Sequence, residues 1–107
     1  RSDELMERVG GDEELMKELI ELFLQDSPAT CEALEKAIQA RDFEEIGKAA
    51  HTIKGMGGNL GSHALYDAAY ELETAGRKED AQAVAQAYDE FSSVMSDLEH
   101  YLRQHYT

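Results

Sequence analysis

Apolar residues recur at intervals of three and four along most of the chain, and no stretch alternates at the two-residue period of a strand. That spacing predicts an all-α protein, because it gives each helix one apolar face. The first predicted element is a short helix over residues 3–9, which Gly10 and Gly11 end. Asp12 stands where it can cap the next helix. The predicted apolar stripe of this second helix consists of Leu15, Leu19, Ile20, Phe23 and Leu24.

The pair Ser27-Pro28 interrupts the second segment. Proline is tolerated in the first turn of a helix, with Ser27 as its N-cap, but it kinks a helix that continues through it. The pattern over residues 28–40 therefore fits either a new helix or the second half of a kinked one, and the sequence leaves both open. The residues that face inward in either case are Leu34, Ala37 and Ile38.

Two further helices have capping residues at their expected ends. Asp42 caps a helix that follows it directly, and Gly61 is suited to the left-handed C-cap of that helix. Ser62 caps the next helix, whose inward residues are expected to be Leu65, Ala69, Leu72 and Ala75. Gly76 and the charged run over residues 77–80 are expected to end it.

A last helix of roughly seven turns is predicted over residues 81–105. Its apolar residues are Val84, Tyr88, Phe91, Val94 or Met95, Leu98 and Leu102. Helices that are joined by short turns and have one apolar face each pack as an antiparallel bundle. We therefore expect one domain over residues 1–107.

Composition restricts the class of partner. The 107 residues carry a formal charge of -13, so phosphate backbones and anionic lipid headgroups would be repelled. Neither nucleic acid nor direct membrane contact is expected. A protein partner with a basic rim and an acidic surface that only maintains solubility both fit this charge. Cys31 is the single cysteine, which excludes an internal disulfide and favours a small apolar role.

Targeting signals are not found in this sequence. There is no run of 18 apolar residues and no charged-then-apolar leader. We expect a cytoplasmic location. The chain begins at Arg1, so it is compatible with a domain excised from a longer protein, and that protein could be anchored in a membrane.

One histidine stands apart from the apolar face of its helix. At about 100° per residue, His51 lies more than roughly 90° from the centre of that face. The face consists of Phe43, Ile46, Ala50, Ile53, Gly57 and Leu60. The surface neighbours of His51 are instead Gly47, Lys54, Gly55 and Gly58.

Four glycines lie in this helix or at its immediate end: Gly47, Gly55, Gly57 and Gly58. Together they lower helix propensity by roughly 3 to 4 kcal/mol, so we expect them to have a compensating role. Gly57 lies on the apolar face, where a glycine lets two helices approach closely. Gly47, Gly55 and Gly58 share the face of His51, and we interpret them as clearing access for a bulky partner to the imidazole.

Histidine is suited to accepting a group from such a partner. An ordinary imidazole has a pKa of about 6.5 and is largely neutral and nucleophilic at cell pH. Lys54 offers a positive charge that would stabilise a transferred phosphoryl group one helical turn away. Lys48, on the other flank of the histidine, is a secondary candidate for the same role.

The stretch His51-Thr52-Ile53-Lys54-Gly55, followed by Gly61, resembles the HxxKGxxxxxG signature of histidine-containing phosphotransfer (HPt) domains. Such domains occur at the end of hybrid sensor histidine kinases and in phosphorelay proteins. The resemblance extends over nearly the whole chain. Its further segments are Arg8 to Leu15, Leu22-Phe23, Ala49-Ala50, Asn59 to Ser62, and Leu72-Glu73 with Arg77.

This resemblance implies an up-and-down four-helix bundle with a short extra N-terminal helix. It implies that His51 is phosphorylated on Nε2 and exchanges the phosphoryl group with the aspartate of response-regulator receiver domains. A domain of this kind is a carrier without kinase activity and binds no cofactor, and Mg²⁺ is expected on the receiver. A sensor histidine kinase in the same chain is a further expected partner.

The family also has an acidic residue or glutamine on the helix after the histidine, hydrogen-bonded to the imidazole, and Glu73 matches that position. The predicted hairpin supports the match, because His51 and Glu73 lie about equally far from the turn. A carboxylate that accepts from Nδ1 leaves Nε2 free to attack. The alternative is that Glu73 is one of many solvated acids.

Two other functions remain as alternatives. The first is the phosphotransfer domain of a chemotaxis-type kinase, which receives its phosphate from an ATP-binding kinase domain. The second, more remote, is a metal-binding bundle, since such bundles use Glu-x-x-His pairs on two helices. Only Asp97-Leu98-Glu99-His100 comes near that spacing, and Lys48 stands where a carboxylate would be needed before His51. No metal ligand is therefore assigned.

Overall fold

The computed structural model describes residues 12–106, which form four α-helices and contain no strand. The helices are α1 (Glu13–Ala40), α2 (Phe43–Leu60), α3 (His63–Arg77) and α4 (Ala81–Tyr106). The all-α prediction is confirmed. The predicted helix over residues 3–9 and the glycine pair after it lie outside the described residues.

The ends of the helices follow from the capping residues. Asp12, Asp42 and Ser62 each accept a hydrogen bond from the backbone N–H three residues further on, at 3.1, 3.2 and 3.3 Å. Gly61 ends α2 with a φ of 70°, in the left-handed region that glycine enters without strain. Only two residues separate α1 from α2 and α2 from α3, so each pair of consecutive helices turns back on itself.

The first helix continues through Pro28, which decides between the two alternatives in favour of one helix. Its buried residues are Met16, Ile20, Phe23, Ser27, Leu34 and Ala37. The prediction that Leu15 faces inward is wrong, because its side chain is 41% exposed. Met16 lies four and seven residues before Ile20 and Phe23, so it shares their face, whereas Leu15 is rotated away from it.

The other three helices bury the faces that the apolar spacing predicts. The predicted residues of α2 and α3 are buried, except that Phe43 is half-buried against the core. The sequence left open whether Val94 or Met95 of α4 faces the core. Met95 is the buried residue, and Val94 is partly buried against the core. One continuous core therefore joins all four helices.

Glycines determine how closely α2 and α3 pack. A Cβ on Gly57 would lie 3.0 Å from the backbone nitrogen of Tyr66, and a Cβ on Gly76 would lie 3.1 Å from Cγ2 of Ile46. The end of α2 thus meets the start of α3, and the end of α3 meets the start of α2, so the two helices are antiparallel. The helix ends at Arg77, within the segment predicted to end it, and Gly76, one residue before that end, is buried at this contact.

The four helices form a closed ring. Each packs against the next one in the chain, and α1 also packs against α4. The described residues are therefore an up-and-down four-helix bundle, with extents of 41 × 20 × 19 Å. Within residues 12–106, no helix is both long enough and apolar enough to cross a membrane.

Candidate functional site

His51 projects from the middle of α2, and 65% of its side chain is exposed. A Cβ added to Gly47 or Gly55 would meet no atom within 4 Å, so the space beside both glycines is open. A Cβ on Gly58 would meet Cδ2 of Tyr66 at 3.8 Å, an ordinary van der Waals contact. The surface near the histidine is therefore open on the side of Gly47 and Gly55 and bounded by an aromatic ring near Gly58.

The imidazole is held from the neighbouring helix. Nδ1 of His51 lies 3.0 Å from Oε2 of Glu73 on α3, the juxtaposition expected from the hairpin. An ionised carboxylate can only accept hydrogen bonds, so Nδ1 carries the proton in this pair. In the neutral imidazole the lone pair is then on Nε2.

Glu73 is a buried carboxylate with several cationic neighbours. Only 2% of its side chain is exposed. Arg77 donates a hydrogen bond from Nη2 to Oε2 at 2.7 Å, and Nζ of Lys54 lies 2.8 Å from Oε1. The lysine contact is a close ion pair, so the ammonium offsets the negative charge on Oε1.

These neighbours decide the protonation state of the carboxylate. Burial by itself raises the pKa of Glu73, but Lys54, His51 and Arg77 outweigh burial and hold the pKa below its ordinary value. Glu73 is therefore ionised at neutral pH and accepts from His51 rather than donating to it.

Lys54 is enclosed and does not extend into solvent beside the imidazole. Its side chain is only 17% exposed. The ammonium lies 5.8 Å from the ring centroid of Tyr66 and 5.3 Å from that of Tyr70, in addition to its contact with Glu73. The positive charge predicted near the histidine is present, but it is bound to the carboxylate that holds the imidazole.

Lys48, the secondary candidate, lies on the exposed side of α2. Its ammonium is 3.4 Å from Glu44 and 3.6 Å from Glu45. The hydrogen bond to Glu44, with the nearby charge of Glu45, raises the pKa of Lys48. Because this cluster is fully solvated, it binds the lysine only weakly and leaves it able to move.

An open groove lies beside His51, between α2 and the C-terminal part of α3. Besides His51, the groove is lined by Phe43, Glu44, Gly47, Lys48, Thr52, Glu73, Gly76, Arg77 and Glu79. The side chain of Arg77 is 71% exposed even though Nη2 contacts Glu73. Two cationic side chains and three carboxylates thus border the approach to the imidazole.

Three residues of this site were not predicted as functional: Tyr66, Tyr70 and Arg77. The spacing held a signal, since positions 66, 70, 73 and 77 recur every three to four residues and share one face of α3. What the spacing does not show is that Lys54 reaches across to that face. In residues 12–106, no three His, Cys, Asp or Glu side chains are grouped so that they could hold a metal ion.

A four-helix bundle with an exposed histidine that a buried carboxylate holds through Nδ1 is the arrangement expected of a helical domain that carries a group on histidine. A family model described as "Hpt domain" matches residues 18–104. The chain therefore belongs to the Hpt domain family and has a histidine phosphotransfer role in a phosphorelay. Searches of curated proteins and of solved structures gave no significant match.

Proposed function

We propose that His51 carries the phosphoryl group, and that the domain accepts it from and returns it to the aspartate of response-regulator receiver domains. The observation that carries this proposal is the pairing of a largely exposed imidazole with a buried carboxylate through Nδ1. That pairing selects the tautomer in which Nε2 is the nucleophile.

The transfer step needs no separate base to remove a proton. Nε2 attacks phosphorus, the bond from phosphorus to the aspartyl oxygen breaks, and the aspartate leaves as a carboxylate. The phosphorylated ring keeps its proton on Nδ1 and becomes formally cationic. Glu73, 3.0 Å away, offsets that charge without moving a proton. Phosphoryl transfer needs mainly positioning and charge stabilisation, and the arrangement supplies both.

The neighbouring residues have supporting roles in this proposal. Gly47, Gly55 and Gly58 keep the approach to His51 clear of side chains on α2. Lys54 contributes positive charge from beside Glu73, and Lys48 is a second source of charge on the groove side. The domain itself binds no cofactor, and the receiver brings the Mg²⁺ that neutralises the phosphoryl oxygens.

The proposal is tested by incubating the domain with a phosphorylated receiver. Wild-type protein should acquire phosphate that is labile in acid and stable in base, and His51→Gln should acquire none. His100→Gln, which changes an exposed histidine on α4, is the matched control and should behave as the wild type. Equal phosphorylation of His51→Gln would disprove the assignment.

A second incubation separates the two kinds of phosphate donor. ATP with a chemotaxis-type kinase core replaces the phosphorylated receiver, and the rates of labelling are compared. The proposal expects faster labelling from the receiver. Faster labelling from the kinase core would favour the chemotaxis-type alternative instead.

A further inference from the structure

Two exposed tyrosines lie beside the ammonium of Lys54. Tyr66 and Tyr70 are one helical turn apart on α3 and are 42% and 52% exposed. Their ring centroids lie 5.8 and 5.3 Å from Nζ of Lys54, within the range of a cation–π contact. The lysine side chain is enclosed mainly where these rings and Glu73 meet it.

We propose that Tyr66 and Tyr70 are positioning residues for phosphotransfer, which hold the Lys54 ammonium against Oε1 of Glu73. This inference rests on the proposed function of His51. The tyrosines act through Lys54 and Glu73 and need not touch the phosphoryl group.

The physical need for such residues follows from the nature of lysine. Its ammonium is a strongly hydrated charge on a flexible four-carbon stem. An ion pair that is open to water holds such a group weakly, whereas rings that exclude water strengthen the pair and restrict the stem. The 2.8 Å contact between Lys54 and Glu73 is made by such a flexible side chain, so it depends on the surroundings that restrict the stem.

Gly58 belongs to the same arrangement. A Cβ at this position would be in ordinary van der Waals contact with Cδ2 of Tyr66, at 3.8 Å, so the ring lies next to the glycine. Gly58 thus leaves room for Tyr66 on the side of α2, while Gly47 and Gly55 face open space. The three glycines on the histidine face have two different surroundings.

An exposed aromatic pair beside a reactive histidine could instead bind the partner protein directly. The two roles differ in kinetics. Loss of a partner contact raises the receiver concentration at half-saturation, whereas loss of lysine positioning lowers the transfer rate at saturating receiver. They also differ in coupling, because a residue that acts through Lys54 has no effect once Lys54 is removed.

The test therefore compares Tyr70→Leu with Tyr70→Phe, which keeps the ring and loses only the hydroxyl. Single-turnover transfer from a phosphorylated receiver should be slowed about tenfold in Tyr70→Leu at saturating receiver, and little in Tyr70→Phe. Half-saturation should be unchanged. Tyr66→Leu should show the same pattern. Equal slowing of the phenylalanine and leucine variants, or a change in half-saturation alone, would overturn the proposal.

A double-mutant cycle with Lys54→Met tests whether Tyr70 acts through Lys54. In that background Tyr70→Leu should cause no further slowing. Independent multiplicative effects would show that the tyrosine does not act through the lysine and would overturn the inference. If wild-type protein accepts no phosphate on His51, the proposed function and this inference fail together; if it does accept phosphate, the tyrosine variants test the inference alone.

An NMR measurement on the unphosphorylated protein needs no phosphotransfer. The Hε protons of Lys54 should be shifted upfield by ring currents in wild type and in Tyr70→Phe, and should move toward ordinary lysine values in Tyr70→Leu. Unshifted resonances in the wild type would overturn the placement of the ammonium beside the rings.

Discussion

At the residue scale, the site depends on one carboxylate. Acidic residues are almost never fully buried unless they are paired, and Glu73 is paired with His51, Lys54 and Arg77. Two of these partners are permanently positive, so they keep the glutamate ionised, and the third is the proposed nucleophile. The same negative charge therefore anchors two cations and sets the tautomer of the imidazole.

Replacing Glu73 by alanine or by glutamine should separate these two effects. Glu73→Ala removes the acceptor for Nδ1 and should slow transfer about 10- to 100-fold, by analogy with metal-bound histidines that lose the partner of their second nitrogen. Glu73→Gln keeps an oxygen acceptor and loses only the charge, so it should be slowed less. Rates are measured by single turnover, with circular dichroism as the check of folding. An unchanged rate in Glu73→Ala would refute the orienting role.

Acid should reveal the lowered pKa of the same carboxyl. The folded protein binds this proton less readily than the unfolded chain, so the group stabilises the fold fully above its ordinary pKa of 4.5. This stabilisation is lost as the pH falls through the lower, folded-state pKa. The difference in unfolding free energy between wild type and Glu73→Gln should be constant near neutral pH and shrink below pH 4.5.

Urea unfolding at several pH values measures that difference. Glu71→Gln, at an exposed position on α3, controls for the loss of one glutamate. A difference between wild type and Glu73→Gln that widens in acid would contradict the lowered pKa.

At the scale of the elements, glycines serve two separate purposes in the hairpin of α2 and α3. Gly57 and Gly76 are buried where the helices cross closely, and a Cβ there would meet backbone or core atoms at 3.0 and 3.1 Å. Gly47 and Gly55 face open space, where a side chain would be tolerated by the fold. Only the second pair has no structural reason to be glycine.

Alanine at Gly57 and at Gly55 should therefore change stability in opposite directions. Gly57→Ala overpacks the contact with Tyr66 and should destabilise the protein by about 1–3 kcal/mol. In Gly55→Ala the new methyl group contacts no other atom, so its higher helix propensity should stabilise the protein by up to about 1 kcal/mol. Urea midpoints at constant slope measure both effects. Equal destabilisation by the two substitutions would contradict the distinction between packing and open glycines.

At the scale of the whole molecule, negative charge predominates. The chain carries a formal charge of -13, and the cations around the proposed nucleophile, Lys48, Lys54 and Arg77, each have a glutamate beside them. Elsewhere, exposed pairs such as Lys36 with Glu32 contribute little to stability. Net repulsion among the acidic residues is therefore the main electrostatic cost of the compact fold.

Salt should relieve that repulsion. The Debye length is about 30 Å at 0.01 M salt and about 10 Å at 0.1 M, whereas the bundle is only about 20 Å across. Charges on opposite sides thus repel one another at low salt and are screened at moderate salt. The midpoint of thermal unfolding should rise when NaCl is increased over this range.

A variant with less negative charge is the control for the salt effect. Glu18→Gln combined with Glu21→Gln removes two exposed charges from α1 and should reduce the rise in midpoint. A midpoint that falls with salt would mean that attractive ion pairs dominate over repulsion.

Most of the fold could be predicted from interactions between residues that are close in the sequence. The helix starts at Asp12, Asp42 and Ser62 and the left-handed end at Gly61 were predictable, because capping depends on a few neighbouring backbone groups. The buried faces were predictable for the same kind of reason, since a helix has a fixed rotation per residue. Leu15 shows the limit, because a shift of one residue turns a side chain from the core into solvent.

Contacts between helices were decided only by the tertiary structure. Pro28 permits a break or a continuous helix by local rules, and packing along the whole of α1 decides which one forms. Gly76 lies one residue before the end of α3, and its close contact with Ile46 gives it a packing role that local rules do not show. At Pro28, long-range packing overrides a local preference of about 3 kcal/mol.

The same division holds at the site. The sequence alone singled out His51, its glycines and the two lysines. Glu73 was indicated by the family resemblance, with which the hairpin register agreed. It did not determine where the charge of Lys54 lies, because a flexible lysine stem can reach several surroundings from one backbone position. Only the packing of α3 against α2 brings Glu73, Tyr66 and Tyr70 to that ammonium, since their helix face is defined by the interface and not by the motif.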